Sequence, residues 1–191
     1  MRRITVFCGA SDGTRPEYAR AASELGRRLA TSGIGVVYGG ASTGLMGTLA
    51  DAVLAHGGEV IGVIPRDLVA HEVAHPGLTR QYVVDSMHER KALMAKLGDA
   101  FVSLPGGMGT AEEFFEVATW AQLGFHDKPC ALVNTAGFYE PLLAFLRHAA
   151  VEGFIHRRYL DNISVAGDVS EVVELLRAHR ALPHLFASAT S

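Results

Sequence analysis

The chain has 191 residues, of which 49% are hydrophobic and 19% charged, a composition suited to one domain that buries a full core without staples. A formal net charge of −3 gives no general attraction to nucleic acid or to an anionic membrane, so neither is expected as a partner. Cys8 and Cys130 fall at the end of one apolar run and the start of another, which reads as buried free thiols in a reducing compartment rather than a disulfide framework.

In chain order, Arg2-Arg3 precedes the apolar run Ile4 to Cys8, which is too short for a secretory leader and breaks at Gly9. No stretch reaches the length of a membrane span, and a cytoplasmic location is expected. Further strand-like runs are Gly35 to Tyr38, Val60 to Ile64, Tyr82 to Val84, Ala100 to Leu104, Cys130 to Val133 and Ile163 to Val165. Helix-like patterns lie between most of them. One starts at Pro16, a first-turn proline, and runs to about Ser32 with Gly33 as its stop. Others cover Gly44 to His56, Met87 to Leu97, Thr110 to Leu123, Tyr139 to Glu152 and Val169 to His179. Short, continuously apolar strands alternating with helices imply an α/β fold, a parallel sheet covered by helices on both faces. One domain is expected over residues 1–191, with the small and polar residues 187–191 frayed.

Ligands of such folds gather outside the carboxyl ends of the strands. Three of those ends are glycine-rich: Gly9-Ala10-Ser11-Asp12-Gly13, Gly39-Gly40-Ala41-Ser42-Thr43-Gly44, and Gly106-Gly107-Met108-Gly109-Thr110. Gly9, Ser11 and Gly40 are therefore candidate ligand contacts beside the third turn. That third turn follows an apolar strand and opens a helix, leaving backbone N–H groups to receive phosphate. Two familiar phosphate loops fail here. A dinucleotide fingerprint needs a third glycine where Glu112 stands, and the Gly39 to Gly44 loop continues Leu45-Met46 where a triphosphate loop needs Lys-Ser or Lys-Thr. A smaller anion, such as a nucleoside monophosphate, suits these turns.

Glu112, Glu113 and Glu116 occupy the first turns of the helix after the cradle, where acidic residues also favour the helix dipole. Glu113 lies one turn beyond Gly109 and can project back over the loop. An ionised carboxylate there suits activation of water or stabilisation of an oxocarbenium-like sugar. Met87-His88-Glu89-Arg90-Lys91 starts another helix; its basic pair is either a solvated face or a phosphate clamp. His71-Glu72-Val73-Ala74-His75 matches the zinc-protease pattern H-E-x-x-H, but Pro76-Gly77 leaves no room for the sustained helix that a metal site needs. No metal and no cofactor are expected.

Pro105-Gly106-Gly107-Met108-Gly109-Thr110-Ala111-Glu112-Glu113 resembles the P-G-G-x-G-T-x-x-E signature of the LOG ("lonely guy") family. Met87-His88-Glu89-Arg90-Lys91 is similar to its second signature, and Trp120 to Gly124, Asp127-Lys128-Pro129 and Gly39 to Gly47 look like further family segments. The resemblance covers about Val6 to Phe154, and its visible departure is Met108, where plant members often carry Tyr. These are cytokinin riboside 5′-monophosphate phosphoribohydrolases, often mislabelled lysine decarboxylases, with a Rossmann-like sheet and usually a homodimeric assembly. The resemblance implies Arg90 and Glu113 as the catalytic pair. It also implies nucleotide contacts from Arg90, Lys91, Gly106, Gly107, Met108, Gly109, Thr110, Ala111, Glu112 and Thr119, with Glu72 in addition.

The expected activity is hydrolysis of the N-glycosidic bond of an N6-substituted AMP, releasing the free base and ribose 5-phosphate. A general nucleoside-monophosphate nucleosidase acting on AMP would use the same residues. A non-catalytic nucleotide-binding module is the reading from a different class. Lysine decarboxylation would need a Schiff-base lysine for pyridoxal phosphate, and Lys91, Lys96 and Lys128 are the chain's only lysines.

Overall fold

A computed structural model describes residues 1–69 and 74–183. The expectations for Glu72 and for the frayed end at 187–191 lie outside the described residues. Among the described residues, seven strands form one sheet: β1 (Arg3–Phe7), β2 (Gly35–Tyr38), β3 (Val60–Pro65), β4 (Arg80–Val84), β5 (Ala100–Ser103), β6 (Cys130–Val133) and β7 (Ser164–Ala166). Their order is β4-β3-β2-β1-β5-β6-β7, and every neighbouring pair is parallel. The helices are α1 (Pro16–Thr31), α2 (Gly44–Ala55), α3 (Met87–Leu97), α4 (Met108–Leu123), α5 (Glu140–Val151), α6 (Arg157–Asp161) and α7 (Val172–Ala178).

The central strands β1, β2, β3, β5 and β6 are buried along nearly their whole length, which is why they carry no polar alternation. On one face, Ile4, Val36, Val102 and Val133 pack against Leu25 and Leu29 of α1, Leu49 and Val53 of α2, and Leu176 of α7. On the other, Phe7, Val37 and Phe101 meet Met94 of α3 and Val117 of α4. Leu132 completes that face with Phe114 of α4 and Leu143 of α5. The α/β expectation with helices on both faces is met.

The sequence pattern did not anticipate α6, a single five-residue turn too short to show a helical period. The helix expected from Val169 to His179 starts as a 3₁₀ turn over Val169–Glu171 and continues as α7. At the start of α3, the Ser86 hydroxyl accepts the Glu89 N–H, and the Glu89 carboxylate accepts the N–H of Asp85. This reciprocal cap fixes the turn that carries Arg90.

From β1 the chain builds outward through β2, β3 and β4, then returns to β5 beside β1 and builds the other way. The helices that follow β1 and β5 pack on opposite faces of the sheet. A crevice therefore opens above the carboxyl ends of β1 and β5, the switch point where ligands of open α/β sheets bind.

Candidate active site

The cradle sits on that crevice. β5 ends at Ser103, and Leu104-Pro105-Gly106-Gly107 turns the chain into α4. Gly107 is the N-cap residue and supplies no side-chain cap; the first bond back into the helix is Ala111 N–H to the Gly107 carbonyl at 3.1 Å. The N–H groups of the first turn thus have no intrahelical acceptor and point along the positive end of the helix dipole. Behind the turn, the buried Tyr139 hydroxyl donates to the Leu104 carbonyl at 2.6 Å, and Gly9 N–H donates to the Pro105 carbonyl at 3.1 Å.

The glycines of the cradle serve two purposes. A Cβ on Gly106 would collide with the Thr110 side chain and come within 2.9 Å of the Gly9 nitrogen, so internal packing requires glycine there. Gly107 and Gly109 differ: a Cβ on either meets nothing within 4 Å. Neither has a positive φ. The protein's own packing does not explain them, whereas an anion lying against the backbone does. Gly109→Ala is accordingly expected to raise thermal stability slightly, by about 0.5–1 kcal/mol from helix propensity, while weakening substrate binding. Thermal unfolding and KM measured together check the opposite signs.

The cleft beside the cradle is lined by Cys8 at the end of β1, Gly39 at the end of β2, Met87 and Arg90 of α3, and Thr110 and Glu113 of α4. Arg90 is 6% exposed. Its Nη2 donates to the Gly39 carbonyl at 3.1 Å, and Nη1 to the Met87 sulfur at 3.7 Å. Its Nε is buried without a partner among the described residues. A buried cation held by one carbonyl and one thioether is poorly compensated, so an incoming anion or developing negative charge has a strong claim on it. Burial, and after it the negative charge of Glu113, pushes the Cys8 thiol far above its ordinary range. Cys8 is thus a protonated wall of the cleft and not a nucleophile.

Lys91, 11% exposed along its side chain, is ion-paired to Glu112 and, at 3.0 Å, to Glu116. Burial acts to lower its pKa, but the two carboxylates outweigh it and raise the value. Lys128 donates to the carbonyls of Ala95 and Gly98, both at 2.6 Å, closing the end of α3. Lys96 is exposed near that same end, away from the crevice. None of the three lysines lies among the residues lining the cleft.

Of the expected site residues, the fold brings Arg90, Glu113, Glu112, Thr110, Gly107 and Gly109 to one cleft. Met108 stands beside it, 89% exposed. Ala111 lies in the first turn of α4, half-buried. Gly9 and Gly40 lie outside the cleft lining. Gly9 backs the cradle; Gly40, with φ +86°, makes a turn whose carbonyl accepts the His75 N–H. Ser11 is exposed, and its backbone packs so closely on Gly44 that no Cβ fits there. The α2 start is thereby covered by the chain itself, with Met46 N–H donating to the Gly9 carbonyl at 3.3 Å. The second turn still reaches the cleft through Gly39, whose carbonyl holds Arg90, while Gly44 in the same turn is closed over by Ala10 and Ser11 and the third turn is left open. Thr119 lies elsewhere, in a more apolar pocket on the outer side of α4 with Phe115, Tyr159 and Leu182.

His75, the last residue of the H-E-x-x-H match, follows an isolated antiparallel bridge between Ala74 and Ala41, so its surroundings are extended. Its ring bonds Asp51 at 3.0 Å through Nε2 and accepts the Gly77 N–H through Nδ1. It ties a loop to α2. Sequence reasoning missed the roles of Gly39, Met46 and Cys8 in the cleft; only the i, i+3 spacing of Met87 and Arg90 hinted at the sulfur contact.

A family model described as "Possible lysine decarboxylase" matches residues 46–176. A cytokinin riboside 5′-monophosphate phosphoribohydrolase of Rhodococcoides fascians is 53% identical over 93% of this chain and 90% of its own length. The Arabidopsis thaliana enzyme of the same name, LOG1, is 49% identical over 92% of this chain and 83% of its own. Among solved structures, the molybdenum cofactor binding protein of Rippkaea orientalis superposes with a TM-score of 0.70 at 19% identity, covering 93% of this chain and 96% of that one, a likeness of fold alone.

Proposed function

We propose, from the premise that this chain belongs to the LOG family of cytokinin riboside 5′-monophosphate phosphoribohydrolases, that it hydrolyses the N-glycosidic bond of N6-substituted AMP to the free base and ribose 5-phosphate. The observation that carries the reading is one cleft holding an anion cradle, a buried and under-partnered Arg90, and Glu113. The 5′-phosphate rests on the N–H groups at the start of α4. Glu113, one turn further along, then faces the ribose.

In the reaction, the bond from C1′ to the base nitrogen breaks and its electron pair leaves with the base. The water oxygen bonds C1′, and its proton passes to the Glu113 carboxylate, whose charge also steadies the oxocarbenium-like transition state; the departing base nitrogen takes up a proton from solvent, and Glu113 returns its own to solvent. Arg90 offers its unpartnered Nε–H and positive charge to the phosphate, the ribose or the departing base. The environment of the lysines speaks against a decarboxylase: Lys91 is held by two carboxylates and Lys128 by two carbonyls.

The same reading takes the chain as one domain working in the cytoplasm as a homodimer. Buried, unpaired Cys8 and Cys130 suit a reducing compartment. No helix among the described residues is long and apolar enough to cross a membrane. Phe125, Val151 and Phe154, 74%, 82% and 86% exposed at the ends of α4 and α5, suit burial against a second copy. Chromatographic assay of base release from isopentenyladenosine 5′-monophosphate, AMP, the nucleoside and the triphosphate tests the function. Release is expected to be fastest from the first. Equal cleavage of the nucleoside would overturn the cradle's role, and preference for AMP would make the enzyme a general nucleosidase.

A further inference from the structure

We infer that Lys91 is a positioning residue: with Glu112 and Glu116 it forms an ionic brace that sets the separation of Arg90 and Glu113 across the cleft. The inference rests on the proposed assignment of Arg90 and Glu113 as the catalytic pair. Lys91 follows Arg90 on α3, and Glu112 precedes Glu113 on α4, so each member of the pair has its chain neighbour in the bridge. Glu116, one turn on, takes the same ammonium at 3.0 Å.

The apolar contacts that α3 and α4 share through the sheet involve Met94 and Val117, about a turn beyond the two catalytic positions. At the cleft itself the brace spans the gap. A phosphate-binding role would require the ammonium to leave two carboxylates, and the trio as a whole carries a charge of about −1, which repels an anion. The Lys91–Glu116 pair, with side chains 11% and 22% exposed, is shielded from screening, whereas Glu112 is 52% exposed and adds the weaker, screened half of the brace.

Glu116→Ala is the test, because brace and ligand roles predict opposite results. It loosens one end of the bridge while leaving Lys91 in place and the cleft less negative. The brace predicts that kcat for isopentenyladenosine 5′-monophosphate falls about tenfold through misplacement, while inhibition by ribose 5-phosphate is unchanged or tighter. Lys91→Arg, whose fork can hold both carboxylates, is expected to keep kcat within about threefold of wild type, and Lys91→Met to lose it. A Glu116→Ala enzyme with unchanged kcat, or Lys91→Arg as inactive as Lys91→Met, overturns the brace. Should Glu116→Ala unfold at assay temperature, Glu116→Gln gives the same comparison. Arg90→Ala and Glu113→Gln are measured alongside. If both turn over normally, the catalytic assignment falls; if both are inactive while Glu116→Ala is wild-type-like, the brace alone falls.

Discussion

Glu113→Gln is expected to lower kcat for base release by about a thousandfold, with the unfolding temperature and the affinity for ribose 5-phosphate nearly unchanged. The substitution keeps the size and hydrogen-bonding capacity of the side chain and removes its charge and basicity. Glu113 is half-buried in the second turn of α4, beyond the N–H groups proposed to hold the phosphate, so cradle and fold survive the exchange. What disappears is the acceptor for the water's proton and the negative charge opposite the cationic sugar. The split between kcat and ribose 5-phosphate affinity separates this role from general damage. A variant that turns over at the wild-type rate would remove Glu113 from the mechanism, and one that loses product affinity instead would make it a binding residue.

The same carboxylate acts on its surroundings, since its charge contributes to the raised pKa of Cys8. Cys8 is at the end of β1 and Glu113 on the helix after β5, so their meeting depends on β5 lying beside β1. That adjacency is a property of strand order, and no local pattern encodes it.

Local structure, by contrast, was largely legible. Continuous apolar runs marked the strands, and β2, β6 and α3 have the limits that their composition suggested. The strand–glycine–helix succession of the cradle was legible too, because it is local. The packing share of the other glycine turns was not legible: Gly44 is glycine because Ala10 and Ser11 pack on it from another loop. The basic pair Arg90-Lys91 could not be divided from sequence. Only the sheet shows that one side chain is buried against Gly39 and the other is spent on two carboxylates. Residues whose role comes from a neighbour on another strand stay hidden until the strand order is known.

Gly39→Ala brings that argument to a single methyl group, with an expected fall in kcat/KM of about a hundredfold. Gly39 directly follows the buried strand β2, and its φ is not positive, so the backbone accepts alanine without strain. The added Cβ would overlap Arg90 Nη2 and lie 2.8 Å from the Met46 sulfur. Both are far ends of flexible side chains, so the fold yields by moving them. Arg90 moves by giving up its bond to the Gly39 carbonyl and swinging into the cleft proposed to hold the substrate. Stability should therefore change little while transition-state stabilisation drops, although no catalytic group has been removed. Thermal unfolding with steady-state kinetics on isopentenyladenosine 5′-monophosphate measures both. An alanine variant with full activity would mean that Arg90 works from a position other than the one packed on Gly39. The combination with Arg90→Ala adds a second check: once the arginine is gone, the extra methyl group should cost almost nothing further.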